Sequence, residues 1–378
     1  MILNKRQTDG PQERKRKKLL RGMLRAACCA CIALCALCAV TGCTSGEEPA
    51  VTPVEQEQTV IGLEVTRAGT NESLEGTIGT ARMIVFGHSP GQPALYNDKL
   101  TGGQTAFNAL VQGGMVDIFL IANEPADNSW NLDAVASRSD LESRLLNFSA
   151  YPVVADGNSL IPMVGIYENL YAMNDEVRRD GPGGALFLVQ EVVRLYAKVT
   201  LTLTCEFVDA SNNFLRDPVS IDHVAIKRLP KKSWMIPARY TETGAGAFFD
   251  GANKTVADAD EHTRDAKGFE AVFSFYIPEY LVNDPDDISF RTYLFLEAFQ
   301  TDYTTIRKTY KLYIGDGIAA GNDFMAGNTV TLRDLNITRN HHYRFKANLK
   351  FDTGRDLEVT AVEVEDWADG GSIIVDIK

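Results

Sequence analysis

Val193-Arg194-Leu195-Tyr196-Ala197-Lys198-Val199-Thr200-Leu201-Thr202-Leu203-Thr204-Cys205-Glu206-Phe207 is the stretch that decides the fold. Every second residue from Val193 to Phe207 is apolar. The residues between are polar or β-branched, apart from Tyr196, which suits an exposed strand face. Period two is the spacing of side chains on one face of a strand. The stretch therefore predicts a half-buried strand of a sandwich, or two consecutive strands. Cys205 falls on the buried face and reads as a packed, inert thiol.

Similar alternation predicts strands at Tyr293–Phe299, Ile306–Ile314, Tyr343–Leu349 and Ile373–Ile377, and earlier strands are expected at Val60–Val65, Ala81–Phe86 and Met115–Ala122. From Leu357 the apolar positions run Leu357, Val359, Ala361 and then shift phase to Val362 and Val364, the pattern of a β-bulge. One helix is predicted near Leu132–Leu146, with Leu132, Val135, Leu141 and Leu145 on one face. Asp180-Gly181-Pro182-Gly183-Gly184 is the strongest chain breaker and falls near the middle. The expectation is an all-β protein of two β-sandwich domains, 59–184 and 185–378, with one short helix in the first.

Residues 1–42 read as an export signal. A basic run, Arg14-Lys15-Arg16-Lys17-Lys18 with Arg21 and Arg25, precedes an apolar stretch from Ala26 to Val40 that is too short to span a bilayer stably. Val40-Thr41-Gly42-Cys43 resembles a bacterial lipobox, which makes Cys43 the expected lipidated residue of the mature chain. Residues 43–58 are acidic, polar and Pro-containing, as in a solvated tether. Of the seven cysteines, five lie in the leader and one is Cys43, so Cys205 alone remains and no disulfide framework is expected. Against a total charge of −12, the leader's net +7 leaves about −19 on the remainder. That charge argues against nucleic acid and against electrostatic binding to anionic membranes, leaving lipid to supply membrane contact.

Residues that carry chemistry are scarce. Gly87-His88-Ser89-Pro90-Gly91 matches G-x-S-x-G after a strand, but a nucleophile elbow needs the N–H of the residue after the serine. Pro90 has none, and Gln92-Pro93 does not open a helix, so a turn is the reading. The five histidines (88, 223, 262, 341, 342) show no zinc spacing. His341 and His342, being adjacent, would face opposite sides of a strand. The acidic clusters Asp258-Ala259-Asp260-Glu261 and Asp284-Pro285-Asp286-Asp287 lack the Gly and distal Glu of a calcium loop. No enzyme, metal or cofactor is expected.

Seven segments together carry a family resemblance: Thr80-Ala81-Arg82-Met83-Ile84-Val85-Phe86, Ile121-Ala122-Asn123-Glu124-Pro125, Ile161-Pro162-Met163-Val164-Gly165, Arg194-Leu195-Tyr196-Ala197-Lys198-Val199, Phe275-Tyr276-Ile277-Pro278-Glu279, Arg339-Asn340-His341-His342-Tyr343 and Val362–Trp367. In this order, along one lipoprotein, they resemble the fimbrillins, lipoprotein pilin precursors of Bacteroidales-type bacteria that build type V pili. The third segment departs from the family's usual Pro-Met-Ser-Gly, with Val164 in place of Ser.

The resemblance implies two transthyretin-like sandwiches and a structural role in a surface fibre that supports cell adhesion. It also implies a palmitate-bearing outer-membrane precursor cut after an Arg behind the first strand by a trypsin-like, Arg-specific protease. The matching bond here is Arg67–Ala68, in a loop beginning Thr66-Arg67-Ala68-Gly69-Thr70. The cut would discard Ile61, Leu63 and Val65, and Ile373, Val375 and Ile377 of a neighbouring subunit would fill the vacated groove with the same i, i+2, i+4 spacing. Gly370-Gly371 supplies a hinge, and Lys378 follows the strand with no tail. Ile373–Ile377 also reads as an ordinary last strand of its own sandwich, and Arg67 as a solvated loop residue. Partners are then other fimbrial subunits. Two further readings are a tip or anchor adhesin that takes a host glycan or protein through Trp130, Trp234 or Trp367, and a non-polymerising glycan-binding surface lipoprotein.

Overall fold

The chain enters its fold on β1 (Gln58–Arg67), followed by β2 (Ala81–Gly87), β3 (Ala94–Lys99), β4 (Ala106–Gln112) and β5 (Gly114–Ala122). A short helix α1 (Arg138–Glu142) precedes β6 (Leu145–Asn147), β7 (Met163–Met173), β8 (Glu176–Arg179) and β9 (Val193–Arg194). Next come β10 (Tyr196–Glu206), β11 (Val219–Lys227), β12 (Leu229–Pro230), β13 (Lys232–Trp234), β14 (Phe248–Phe249), β15 (Glu261–Arg264) and β16 (Gly268–Pro278). The order closes with β17 (Tyr293–Gln300), β18 (Tyr303–Tyr313), β19 (His341–Leu349), β20 (Leu357–Asp366) and β21 (Ile373–Ile377). This computed structural model describes residues 58–67, 74–89, 91–100, 106–148, 160–173, 176–179, 192–215, 217–236, 244, 246–282, 290–301, 303–317, 335–349, 357–366 and 373–377. They all belong to one compact unit, Gln56–Lys378. The expected leader, Cys43, the breaker 180–184, Asp284–Asp287 and Trp367 lie outside the described residues.

The fold is all-β. In the first half a sheet ordered β3-β2-β5-β7-β8, with β9 on β7, is covered on both faces. One face packs Met83, Val85, Ile118 and Leu120 against Ile61 of β1 and Phe107, Ala109 and Val111 of β4. The other packs Ile84, Phe86, Phe119 and Ile121 under Leu132, Val135, Leu141 and Leu146, together with Met235 and Ile236 from beyond β13. Double cover explains why Met83–Phe86 of β2 and the end of β5 read as unbroken apolar runs instead of alternating ones. The predicted helix is two pieces, a 3-10 turn at Leu132–Ala134 and α1. Ser137 breaks the run: its hydroxyl accepts from Asp140 N, capping a fresh start.

In the second half, a mixed sheet β15-β16-β10-β19-β20 faces a sheet β11-β17-β18 across a separate apolar core. Burial along β10 alternates without exception, and Cys205 is buried. The long period-two run is two strands, because at Leu195 it changes core: Leu195 packs in the first half and Ala197 in the second. Tyr196 is accordingly not a solvent-facing strand residue. It packs against both first-half clusters, 5.8 Å edge-on from Phe148. The bulge foreseen near Ala361 is present, since Lys346 pairs with Ala361 and Ala347 with Val359, leaving Thr360 as the extra residue. His342 is buried and bonds Thr200 at 2.9 Å, while His341 is directed toward Asp366, on the opposite face.

Candidate functional site

β1 is the middle strand of a three-stranded antiparallel sheet, β21-β1-β4. Its register with β4 runs from Gln58 opposite Gln112 to Glu64 opposite Ala106. Thr59 and Ile61 point inward and are fully buried. Val60 and Leu110, paired across the strands, remain exposed on the outer face. On its other edge β1 pairs with β21, with Leu63 opposite Ile377, Val65 opposite Val375 and Arg67 opposite Ile373. The register therefore sets Ile373, Val375 and Ile377 directly opposite Arg67, Val65 and Leu63. β21 is thus a strand of the first-half sheet rather than of either second-half sheet. Arg67 is the last residue of β1, not an open-loop residue: pairing with β21 carries the ladder through Thr66 and Arg67. Ala68 lies outside the described residues.

The chain is described again from Leu74, and Glu75 fastens it there. Lys198 Nζ donates to Glu75 Oε1 at 2.6 Å and the Tyr276 hydroxyl to the same oxygen at 2.5 Å. Arg194 Nε donates to the Glu75 carbonyl at 3.1 Å and its Nη1 to Asn340 Oδ1 at 3.3 Å. Burial, then the bond to the Glu75 carboxylate, pushes the Tyr276 phenol well above its ordinary range. Asn123, in the left-handed region with φ 58°, binds Gly79 N through Oδ1 and the carbonyls of Thr77 and Ile161 through Nδ2, each at 2.8 Å. Segment 74–80 is therefore tied to both halves by groups that do not depend on β1. Replacing Glu75 with Ala should lower stability by about 1–3 kcal/mol, because two buried-side donors lose their acceptor. Glu75→Gln should recover much of it by keeping the Tyr276 bond. Thermal unfolding of the two variants measures this, and equal melting points for wild type and Glu75→Ala would contradict it.

A second anchor joins the halves. Arg339 donates through Nη2 to Glu279 Oε2 at 2.6 Å and to the Trp234 carbonyl at 2.5 Å, and through Nη1 to the Met235 carbonyl at 2.8 Å. Glu279 Oε1 accepts from Arg339 N at 3.2 Å. These bonds hold the segment whose strand β13 pairs with β6 of the first half.

The remaining polar clusters are structural. Buried Asp117 accepts from Arg138 Nη1 at 2.6 Å and from Asn169 N at 2.9 Å, and lies 3.2 Å from His88 Nδ1. Arg138 also binds Glu142 and Glu168. Asp222, His223 and Glu297 have metal-ligand chemistry, but Arg307 Nη1 lies 2.7 Å from Glu297 and 3.1 Å from Asp222, so a guanidinium already neutralises the carboxylates. Ser89 leads into β3 rather than a helix, the geometry of a turn and not of an elbow. Asp258 accepts from Thr255 N and Oγ1, capping a 3-10 turn. Trp130 is partly buried against the first-half cluster and Trp234 lies in β13 with its carbonyl on Arg339.

The architecture is all-β, built of packed antiparallel and mixed sheets. No family model matches the chain, and none of the curated proteins matches its sequence. Solved structures do match. The tip fimbrial protein Mfa3 from Porphyromonas gingivalis, C-terminally truncated, superposes with TM-score 0.54 and 15% identity over 82% of this chain and 100% of its own. A candidate cell adhesion protein from Bacteroides eggerthii gives 0.54 and 14% over 82% and 96%. One from Parabacteroides distasonis gives 0.51 and 17% over 84% and 99%. What these proteins share with this chain is the fold.

Proposed function

We propose that the chain is a fimbrillin-type structural subunit of a cell-surface fimbrium that supports adhesion. It is exported as an outer-membrane lipoprotein on Cys43, cut after Arg67 and joined to other fimbrial subunits by strand exchange. Two sandwich domains, 59–184 and 185–378, carry this role, with β9, β13 and β21 of the second range paired to strands of the first. The observation that supports the reading most is the position of β1. It is the middle strand of the sheet covering one face of the first-half core, and it ends on Arg67. Excising it would uncover Phe107, Ala109 and Val111 and leave the β4 edge unpaired, a site that a strand with Ile373, Val375 and Ile377 on one face suits. The Glu75 and Asn123 anchors support it further, because they would hold the new N-terminal segment after the cut. The fold shared with a fimbrial tip protein and with candidate cell adhesion proteins favours a fibre subunit over an enzyme.

A tip position is the second reading, favoured by the likeness to the Porphyromonas tip fimbrial protein. Arg67→Ala is the test of the first. The wild-type precursor treated with an Arg-specific, trypsin-like protease should acquire Ala68 as its N-terminus and form heat-labile ladders on denaturing gels. Arg67→Ala should stay uncut and monomeric. Ladders of full-length, uncut protein would refute the scheme, and a cut protein that caps preformed fibres without laddering would select the tip reading.

A further inference from the structure

Two of the buried arginines are met by carboxylates. Arg82 binds Glu124 and Asp133 at 2.7 Å each, and Arg339 binds Glu279 at 2.6 Å. Arg291 is different. It is 1% exposed, among the largest fully buried side chains, and no carboxylate of the described residues pairs with it. Its guanidinium carries five N–H donors. The bond it makes runs from Nη1 to Asn336 Oδ1 at 3.5 Å, the outer limit of hydrogen bonding, and that oxygen already accepts from Val282 N at 3.0 Å.

A second unused donor lies beside it. The Arg291 guanidinium is 5.9 Å from the centre of the Tyr280 ring. Tyr280 is fully buried, and its hydroxyl has no hydrogen-bond partner. Burial pushes this phenol up to about 12, so at neutral pH it remains an O–H donor. Apolar rings surround the pair: Phe248 stands edge-on to Tyr280 at 5.4 Å and stacks on Phe290 at 6.0 Å. The Tyr280 ring attracts the cation, but a π-face leaves the N–H donors unsatisfied. A buried charge without a counter-charge is costly, far beyond what one ring contact returns. Surplus donors, one positive charge and apolar walls together describe the complement of a small anion.

We infer that Arg291 and Tyr280 form an internal site for a small monovalent anion of halide size, at the wall of the second-half core. One charge is what Arg291 can balance, and a divalent oxyanion would leave negative charge buried in its turn. The near-complete burial of Arg291 limits the ligand to a small ion. The consequence is a second half whose stability is linked to the surrounding anion. An anion that binds only the folded chain multiplies the folded-to-unfolded ratio by one plus its concentration over its dissociation constant. This site is independent of the cut and the strand exchange proposed above.

The test is thermal unfolding of the full chain in sodium gluconate, exchanged stepwise for sodium chloride at constant ionic strength. Gluconate is too bulky for a closed site, and constant ionic strength holds screening fixed. The melting temperature should rise with chloride along a binding curve. At ten times the dissociation constant the folded-to-unfolded ratio should stand about elevenfold above its value in gluconate. Arg291→Met removes the charge, and its melting should not respond to chloride. Tyr280→Phe removes a single hydroxyl that no protein group uses, so it keeps the fold and carries the test even where Arg291→Met does not fold. In gluconate Tyr280→Phe should melt at or above wild type, because an unsatisfied donor is gone. In chloride its gain should shrink, with the apparent dissociation constant raised about two- to tenfold by the lost hydrogen bond. A wild-type melting temperature indifferent to chloride would overturn the inference. So would a chloride response undiminished in either variant, since the ion would then bind elsewhere.

Discussion

Val375→Glu is expected to abolish fibre ladders while leaving a folded monomer. Under strand exchange Val375 is the middle of three aliphatics entering a neighbour's groove. Each contributes about 1.5–3 kcal/mol on full burial, and each ladder hydrogen bond adds about 0.5–1.5 kcal/mol. An unpaired carboxylate in that dry groove costs more than the valine supplied, so polymer should fall by more than about a hundredfold. In the monomer β21 is an edge strand of a three-stranded sheet, and neither second-half sheet includes it. Undocking it removes a five-residue pairing and no second-half strand, so the monomer should stay folded and lose only the net docking free energy of one edge strand. Gels and calorimetry on one preparation decide the matter. A melting temperature lowered by several degrees would make β21 an integral strand of its own fold, and undiminished ladders would remove it from assembly.

The second half was legible because its strands bury one face each. Alternation along β10 identified the buried set, including Cys205, and a phase change identified the bulge at Thr360. Where one sheet is covered twice the alternation vanishes, and β2 and β5 could be recognised only as apolar runs. The one-face spacing of Leu132, Val135 and Leu141 does mark buried residues, but burial against a sheet does not require a continuous helix, and the Ser137 cap restarts the chain between them. Tyr196 defeated the local reading because it lies where one run passes between two cores. The anchors at Glu75, Glu279 and Asp117 were invisible for another reason. Glu75 meets Lys198 and Tyr276 across 123 and 201 positions, and no local period pairs residues so far apart. The partners of Glu75 and Glu279 did carry a signal, in that Arg194, Lys198, Tyr276 and Arg339 all fall in the segments that resemble the fimbrillins. Those segments are where the polar ties between the halves are made. Where Ile61, Arg67 and Ile373–Ile377 sit follows from pairing between the ends of the described chain, which a one-dimensional pattern can match but cannot register.

Glu279→Ala is expected to be the most destabilising single polar substitution among these anchors. Both members of the Arg339–Glu279 pair are nearly inaccessible, with side chains 8% and 2% exposed. Removing the carboxylate leaves a guanidinium in the interior with backbone carbonyls as its remaining described acceptors, Trp234 and Met235. Breaking a buried pair in this way costs about 3–5 kcal/mol, which for a unit of this size lowers the melting temperature by on the order of ten degrees. Glu279→Gln should fall between, because an amide oxygen can still accept from Arg339 N. Replacing both residues together, Glu279→Leu with Arg339→Met, should recover most of the loss, since the damage arises from the uncompensated charge rather than from the missing attraction. Local and global effects are separable by amide exchange. Arg339 holds the consecutive carbonyls of Trp234 and Met235, so Glu279→Ala should raise exchange first at 232–236 and at the β6 residues paired with β13. Protection along β10 and β16 should persist, because their alternating core does not include the pair. A uniform rise across both halves would instead mean that this tie carries the whole second sandwich. The exposed Arg307–Glu297 pair is the control: its removal should change stability by about 1 kcal/mol or less, since water already screens it.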